Sequence, residues 1–241
     1  MSPDSAIVAT AAIATVAALG VVLRPFRTHE AFWAVGGAAL MVAAGLLSCG
    51  AALAAAGKGL DVYLFLAGMM LLAEVARREG LFDAVAAFAV TRAGGSPRRL
   101  FALVYAAGVV VTAFLSNDAT AVVMTPAVLA AARRAKADPL PHLFACAFVA
   151  NAASFVLPIS NPANLVLYAG HAPALGDWLA RLALPSALAI AAAFASLGWA
   201  ERRALGGDCA REAEGPKLGA AGKAAVAGLV ASAVALPLVS A

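Results

Sequence analysis

Long apolar stretches separated by short charged segments dominate the chain. An α-helix needs about 20 apolar residues to cross a bilayer. This pattern predicts membrane spans at residues 6–23, 31–56, 60–76 and 178–200, and a further apolar run at 224–241. Residues 81–91 are apolar but only about half the required length, so we interpret 81–92 as an interfacial helix.

The longest apolar stretch, residues 100–132, is interrupted near its middle by Ser116, Asn117 and Asp118. One straight helix of this length would be about 50 Å long, whereas two arms would each reach about 21–24 Å. Each arm is shorter than the roughly 30 Å hydrocarbon core. We therefore predict a re-entrant helical hairpin whose tip lies deep in the membrane, with Asn117 and Asp118 capping the helix that begins at Ala119.

A second polar interruption, Pro-Ile-Ser-Asn-Pro-Ala-Asn, occupies residues 158–164. Its prolines cannot continue a helix, and irregular backbone at membrane depth is tolerated only where it lines an enclosed or watery cavity. Residues 141–170 are therefore predicted to form a discontinuous helix that resumes at Asn161 and Pro162. Two half-helix N-termini that face one cavity are typical of secondary transporters.

Composition excludes an ordinary soluble domain. The chain is 63% hydrophobic and 12% charged, with a mean hydropathy of +0.91, whereas a soluble domain carries about 25% charged residues. We predict an all-α polytopic membrane protein with about six spans, a re-entrant hairpin and a discontinuous helix. With the hairpin returning to its own side, only Lys58 and Arg181 of the 17 basic residues lie on the opposite side, which places the basic side in the cytoplasm. A crossing at 81–91 would invert this orientation.

Asp118 is the most expensive residue to place in a membrane, and we interpret it as a proton carrier or cation ligand. The alternative is a hairpin turn exposed to the outer solvent. Ser160, Asn161 and Asn164 either bind a solute or only satisfy the free backbone of a kink. For Glu74, a structural ion pair with Arg78 four residues later is favoured over a transport role.

The remaining motifs favour a carrier over other classes. Cys49, Cys146 and Cys209 have no metal-ligand spacing, and the sequence contains no nucleotide-binding or HExxH motif. We therefore expect no metal, no cofactor, no enzymatic activity and no nucleic-acid partner. Transport by this chain would depend on an ion gradient.

Three segments resemble a known family. They are residues 65–83 (FLAGMMLLAEVARREGLFD), 115–126 (LSNDATAVVMTP) and 158–166 (PISNPANLV). In this order they are similar to the arsenical pump membrane protein family, the arsenite and antimonite efflux permeases. That family belongs to the ion transporter superfamily, together with sodium–dicarboxylate symporters and sodium/proton antiporters. The resemblance implies that substrate and ions bind at the hairpin tip and at the unwound part of the broken helix, namely Ser116, Asn117, Asp118, Ser160, Asn161, Pro162 and Asn164.

The resemblance also implies an architecture and a reaction. Family members contain two inverted halves, so residues 1–200 correspond to a first repeat, 201–223 to a cytoplasmic linker and 224–241 to the start of a truncated second repeat. Members export trivalent arsenic in exchange for protons across the bacterial inner membrane, alone or with a soluble ATPase subunit, and so confer arsenical resistance. Arsenite is mostly an uncharged trihydroxide, which hydroxyls and amides suit. Asp118 would then couple transport to protons.

Other functions remain open at this point. A sodium/proton antiporter or a dicarboxylate transporter of the same superfamily would use the same elements, with sodium at Asp118. A function of another class is a non-transporting scaffold, or a half-transporter that needs a partner. A homo-oligomer is compatible with each alternative.

Overall fold

The computed structural model describes residues 3–57, 59–168, 173–210 and 227. These residues form helices and turns and contain no β-strand, which confirms the predicted all-α class. Three of the helices described, those over Asp4–Leu23, Pro97–Phe114 and Leu175–Ala200, are long and apolar enough to cross a membrane. The α-helices are α1 (Pro3–Leu23), α2 (Glu30–Ala43), α3 (Cys49–Gly57), α4 (Leu60–Arg78), α5 (Leu81–Ala93), α6 (Pro97–Phe114), α7 (Thr125–Arg134), α8 (Pro139–Ala152), α9 (Pro162–Leu167) and α10 (Leu175–Ala200).

The chain divides into two compact units, Met1–Asp61 and Val62–Ala241. In the first unit, α1 packs against α2 because small residues let the two backbones approach. A Cβ atom at Gly20 would overlap the Trp33 ring, and one at Gly37 would come within 2.8 Å of Ala17. The Trp33 indole donates a hydrogen bond to Thr28 Oγ1 (2.7 Å), which fixes the ring in this contact.

The predicted span 31–56 differs from the structure, because this stretch forms two helices, α2 and α3. Helix α2 ends at Ala43, and Gly45 adopts a left-handed backbone conformation (φ +68°). The Leu46 and Leu47 amides both donate hydrogen bonds to the Met41 carbonyl. The Ser48 hydroxyl then accepts a hydrogen bond from the Ala51 amide (3.1 Å) and starts α3. Gly45 permits the positive φ of this turn, at which the apolar run divides.

The core of the second unit lies where α6 and α8 cross. Gly108 of α6 lies so close to Val149 of α8 that a Cβ atom at this glycine would overlap the valine side chain. Helix α5 covers α6 and α7 with a buried apolar face that includes Phe82 and Val90. Helix α5 coincides with the predicted interfacial helix 81–92, and its depth in a membrane stays a prediction.

Helix α10 is attached to the same core along its length. The Trp178 indole donates to the Phe155 carbonyl (3.1 Å), and the Tyr105 hydroxyl donates to the Ile190 carbonyl (2.9 Å). After α10, the segment 201–210 folds back, with Leu205 buried in the core. Of the predicted linker 201–223, residues 201–210 are described, and the predicted second repeat at 224–241 lies outside the described part of the chain apart from residue 227.

Candidate functional site

The first helix break lies at the predicted hairpin tip. Helix α6 ends at Phe114, Leu115 forms a turn, and helical structure resumes at Asn117. The expected cap is wrong in detail, because Ser116 caps the new helix and accepts a hydrogen bond from the Ala119 amide (3.2 Å), whereas Asp118 makes no capping bond. The Asp118 carboxylate is therefore not used to hold the backbone at this break.

The helix that follows the break is wider than an α-helix. Residues Ala119–Met124 form a π-helix, which continues into α7 at Thr125. Pro126 has no N–H to donate, and the Thr125 hydroxyl donates to the Thr120 carbonyl (3.1 Å). Across the break, the buried hydroxyls of Thr112 and Thr120 share a hydrogen bond of 2.8 Å. Short π-helices are frequent at functional sites, and here one begins directly after Asp118.

The second break begins where α8 ends at Ala152. The Asn161 side chain accepts a hydrogen bond from the Ala163 amide (2.9 Å) and caps α9, with Pro162 at its first position, as predicted. The buried Asn164 amide donates to the carbonyls of Ser154 (2.9 Å) and Pro158 (3.3 Å). Asn164 therefore satisfies backbone groups that the break has freed.

One hydrogen bond joins the two breaks. The Ser160 hydroxyl accepts from the Leu157 amide (2.9 Å) and donates to the Ala113 carbonyl (3.1 Å), which lies in the last turn of α6. Carbonyls in the last turn of a helix lack the usual backbone donor, and Ser160 supplies one here. The side chain is fully buried. Segments 47 residues apart in sequence are thus held together at the centre of the second unit.

A pocket of about 400 Å³ opens beside the two breaks. Three of the predicted site residues, Ser116, Asp118 and Pro162, lie in its wall together with Glu74 of α4. The rest of the wall is apolar, namely Leu66, Met69, Met70, Leu71, Ala73, Ala119, Val122 and Val123. Hydroxyl and carboxylate groups in an otherwise apolar wall are typical of a small-molecule site.

The predicted site residues take different places. Ser116, Asp118 and Pro162 lie in the pocket wall, whereas Ser160 and Asn164 are buried and bond to the backbone of the breaks. Asn161 caps α9, and its neighbour Pro162 begins that helix. Asn117 is half-buried, and its Oδ1 atom is buried with no hydrogen-bond partner among the described residues. Asn117 is not among the described residues that line the pocket.

The pocket's charged groups differ in their partners. Glu74 accepts hydrogen bonds from Arg77 (2.7 Å) and Arg78 (2.8 Å), which confirms the predicted ion pair. Asp118 is exposed at the pocket and has no ion pair within the described ranges. No lysine or arginine lies in the pocket wall as far as the structure describes it. In the same residues, no group of three His, Cys, Asp or Glu side chains is placed to hold a metal ion.

Sequence reasoning missed the contribution of α4 to the pocket. Glu74 lies in the motif at 65–83, but the predicted ion pair was a sufficient explanation for its presence, so no role at the site was expected. The Thr112–Thr120 bond was missed as well, since threonines in apolar helices usually bond within their own helix. The signal available was the spacing of the two threonines on either side of Ser116–Asp118.

Comparison with known proteins decides the family. The family model described as citrate transporter matches residues 7–240, nearly the whole chain. The chain belongs to the citrate transporter family. This places it among membrane transporters, as the sequence predicted, without singling out the arsenical pump. Membership also agrees with a multi-pass membrane protein that acts as a carrier.

Individual relatives are also named as transporters or membrane proteins. An uncharacterized transporter of Mycobacterium tuberculosis is 30% identical over 162 residues, 66% of this chain and 38% of the relative. A 46 kDa membrane protein of Mycobacterium leprae is 26% identical over 65% of this chain and 37% of its own length. An uncharacterized transporter of Escherichia coli is 39% identical over 32% of this chain and 13% of its own length. No solved structure matches the chain significantly.

Proposed function

We propose that this citrate transporter family member forms part of a secondary-active transporter that couples a small, oxygen-rich solute to a proton bound at Asp118. The observation that carries the proposal is the position of Asp118 in the wall of a 400 Å³ pocket, beside two helix breaks joined by Ser160. A carboxylate at bilayer depth costs at least about 2.5–3.5 kcal/mol on insertion scales. Proton binding removes that cost, so solute transport and proton movement can share one pocket.

The groups in the pocket favour an uncharged solute. Ser116 offers a hydroxyl, and Glu74 and Asp118 supply carboxylates. The Asp118 carboxylate would repel a polyanion, because it has no ion pair within the described ranges and no lysine or arginine lies in the described wall. The charge of Glu74 is already balanced by Arg77 and Arg78. Arsenite and antimonite are mostly uncharged trihydroxides at neutral pH and bond well to such groups. We therefore propose proton-coupled efflux of arsenite or antimonite, with the basic side in the cytoplasm.

Citrate is the second candidate, because the family model that matches residues 7–240 describes a citrate transporter. Citrate carries three carboxylates near neutral pH and would need a cation to enter this pocket. A cation held between citrate and Asp118 would offset the repulsion, and sodium then replaces the proton as the coupling ion. This candidate predicts uptake that depends on sodium or on a divalent cation.

The chain spans 38% of the length of the curated relative it matches over 162 residues. We therefore propose transport for an assembly that includes this chain together with a second half of the same kind. Residues 1–200 would form the first repeat, with the break at 115–118 as the tip of a re-entrant hairpin. A soluble ATPase subunit is not needed by this mechanism.

The test measures arsenite accumulation in metalloid-sensitive bacterial cells. Cells express this chain as wild type or with Asp118→Asn. Asp83→Asn is the matched control, since Asp83 is an exposed aspartate at the start of α5, outside the pocket. We expect lower accumulation with the active wild-type form, loss of this effect in Asp118→Asn, and no change in Asp83→Asn.

The alternatives give distinct results. Unchanged arsenite accumulation together with citrate uptake in the same cells would show that the transported solute is citrate and not arsenite. Full proton-coupled exchange by Asp118→Asn would refute the role of Asp118, whichever solute is carried. Membrane insertion, followed by immunoblot of the membrane fraction, must be equal for both variants.

A further inference from the structure

Six basic residues collect at one end of the second unit. They lie at the end of α5, at the start of α6 and at the end of α7, and we define them as the basic cluster: Arg92, Arg98, Arg99, Arg133, Arg134 and Lys136. All six side chains are exposed. The question is whether the fold brings the α5–α6 loop and the α7–α8 loop close enough to act on one partner.

The segment after α10 joins these two loops. The Cys209 amide donates to the Gly95 carbonyl (2.9 Å), and the next amide, of Ala210, donates to the Ala135 carbonyl (2.7 Å). Consecutive Cα atoms are only about 3.8 Å apart, so the two carbonyls lie within roughly 10 Å of each other. The basic residues that flank Gly95 and Ala135 therefore form a single surface.

The basic cluster has no carboxylate partner within the described ranges. The ion pairs found there use Arg24, His29, Arg77 and Arg78, none of which belongs to the cluster. Exposed cations without an intramolecular partner keep their attraction for external anions. The preference for basic residues on the cytoplasmic side explains why these loops are positively charged. It does not require that the cations be held together and left unpaired.

Exposed aromatic rings beside the cluster indicate where it lies relative to lipid. The Arg92 guanidinium lies over the Phe88 ring at 5.4 Å, and the Arg202 guanidinium lies over the Trp199 ring at 4.7 Å. Both rings are largely exposed, Phe88 by 59% and Trp199 by 70%. Aromatic rings next to arginines are typical of the membrane–water interface, where the ring contacts acyl chains and the cation reaches the phosphates.

We propose that the basic cluster binds the headgroups of anionic phospholipids, with Phe88 and Trp199 at the boundary with the acyl chains. The phosphates supply the anions that the six cations lack, and the rings give the site a contact that a free phosphate ion cannot make. Basic surfaces at the membrane edge of helices are known to take such headgroups. This inference depends on the membrane location of the second unit and not on the identity of the transported solute.

The test is lipid binding to the purified 241-residue chain in nonionic detergent, measured by native mass spectrometry with dioleoyl-phosphatidylglycerol or dioleoyl-phosphatidylcholine. The variant is Arg134→Gln, and the matched control is Arg181→Gln. Arg181 is also exposed, but it lies near the start of α10, about 28 Å along the helix from Ala200, whereas the chain beyond the end of α10 joins the cluster's loops. Arg133→Gln/Arg134→Gln removes two charges, and Arg133→Lys/Arg134→Lys keeps both.

We expect phosphatidylglycerol to bind more tightly than phosphatidylcholine. Each removed cation should weaken phosphatidylglycerol binding about fivefold, so the double Gln variant should lose roughly 25-fold. The double Lys variant and Arg181→Gln should stay within about twofold of wild type. High salt should reduce the lipid preference, because the contact is between exposed charges.

Three results would overturn the proposal: equal binding of the two lipids, wild-type binding by the double Gln variant, or the same loss in Arg181→Gln. If the double Gln variant fails to fold by circular dichroism and size exclusion, Arg98→Gln on the other loop replaces it. Its expected loss is again about fivefold. Because no solute is present, failure here leaves the proposed transport function untouched.

Discussion

Replacing Ser160 by alanine tests the bond that joins the two helix breaks. The substitution removes the donor to the Ala113 carbonyl and the acceptor for the Leu157 amide, and the side chain is fully buried. Each buried backbone group left without a partner costs about 1–3 kcal/mol. Side-chain hydrogen bonds in membrane proteins average only about 0.6 kcal/mol, because the unfolded chain in the membrane finds other partners.

The higher range applies to the Ala113 carbonyl, which lies in the last turn of α6 and is bonded by a buried hydroxyl, whereas the Leu157 amide lies within the second break and is only partly buried. We therefore expect Ser160→Ala to lower the free energy of unfolding by about 2–4 kcal/mol. The measurement is unfolding of the purified chain in mixed micelles with increasing sodium dodecyl sulfate, followed by far-ultraviolet circular dichroism.

Ser186→Ala is the matched control. Ser186 lies in α10 and is also buried, but its hydroxyl has no hydrogen-bond partner among the described residues. Removing an unpaired buried hydroxyl should be neutral or slightly stabilising. Equal changes in the two variants, or an unchanged free energy for Ser160→Ala, would show that the Ser160 bond does not hold the breaks together.

Substitutions at two further places test the packing of α6 against α8 and the reactivity of the Cys209 thiol. Gly108→Ala should lower the free energy of unfolding by about 1–3 kcal/mol, since its Cβ would overlap Val149. The control, Gly68→Ala, places a Cβ that meets no atom within 4 Å and should be neutral or stabilise by up to about 1 kcal/mol. Equal effects in the same unfolding assay would contradict the close α6–α8 contact. Burial, and then the negative charge of Asp208, raise the pKa of Cys209 above its usual value. A raised pKa means less thiolate at neutral pH, so maleimide labelling of Cys209 in a Cys49→Ser chain should be slow at pH 7.5 and accelerate as pH rises beyond about 8.5. Asp208→Asn should lower this pKa and speed labelling at pH 8, and an unchanged rate would refute the charge effect.

Sequence predicted the two main helix breaks because their signals are local. Ser116–Asp118 is a polar triplet within a long apolar run, and Pro158–Asn164 combines prolines with asparagines. Proline interrupts a helix, and Ser, Asn and Asp favour caps and turns over helix interiors. The break between α2 and α3 was missed because only Gly45 marks it, and a glycine permits a turn without requiring one.

Sequence reasoning could not tell which polar residues face the pocket and which bond to backbone. Asn164 and Asp118 are both candidate site residues in the sequence, yet Asn164 bonds to two carbonyls while Asp118 faces the pocket without an ion pair in the described residues. Which outcome holds depends on where distant backbone groups lie. The Ser160–Ala113 contact joins residues 47 positions apart, and no local pattern encodes it.

The three attachments of α10 determine which parts of the second unit can move separately. Trp178 ties its beginning to the chain after α8, Tyr105 ties its middle to α6, and the amides of Cys209 and Ala210 tie the chain beyond its end to two loops. We therefore expect α6, α8 and α10 to move as one block. A transport cycle that exposes the pocket alternately to each side would then shift α4, whose Glu74 lies in the pocket wall together with Asp118, relative to that block.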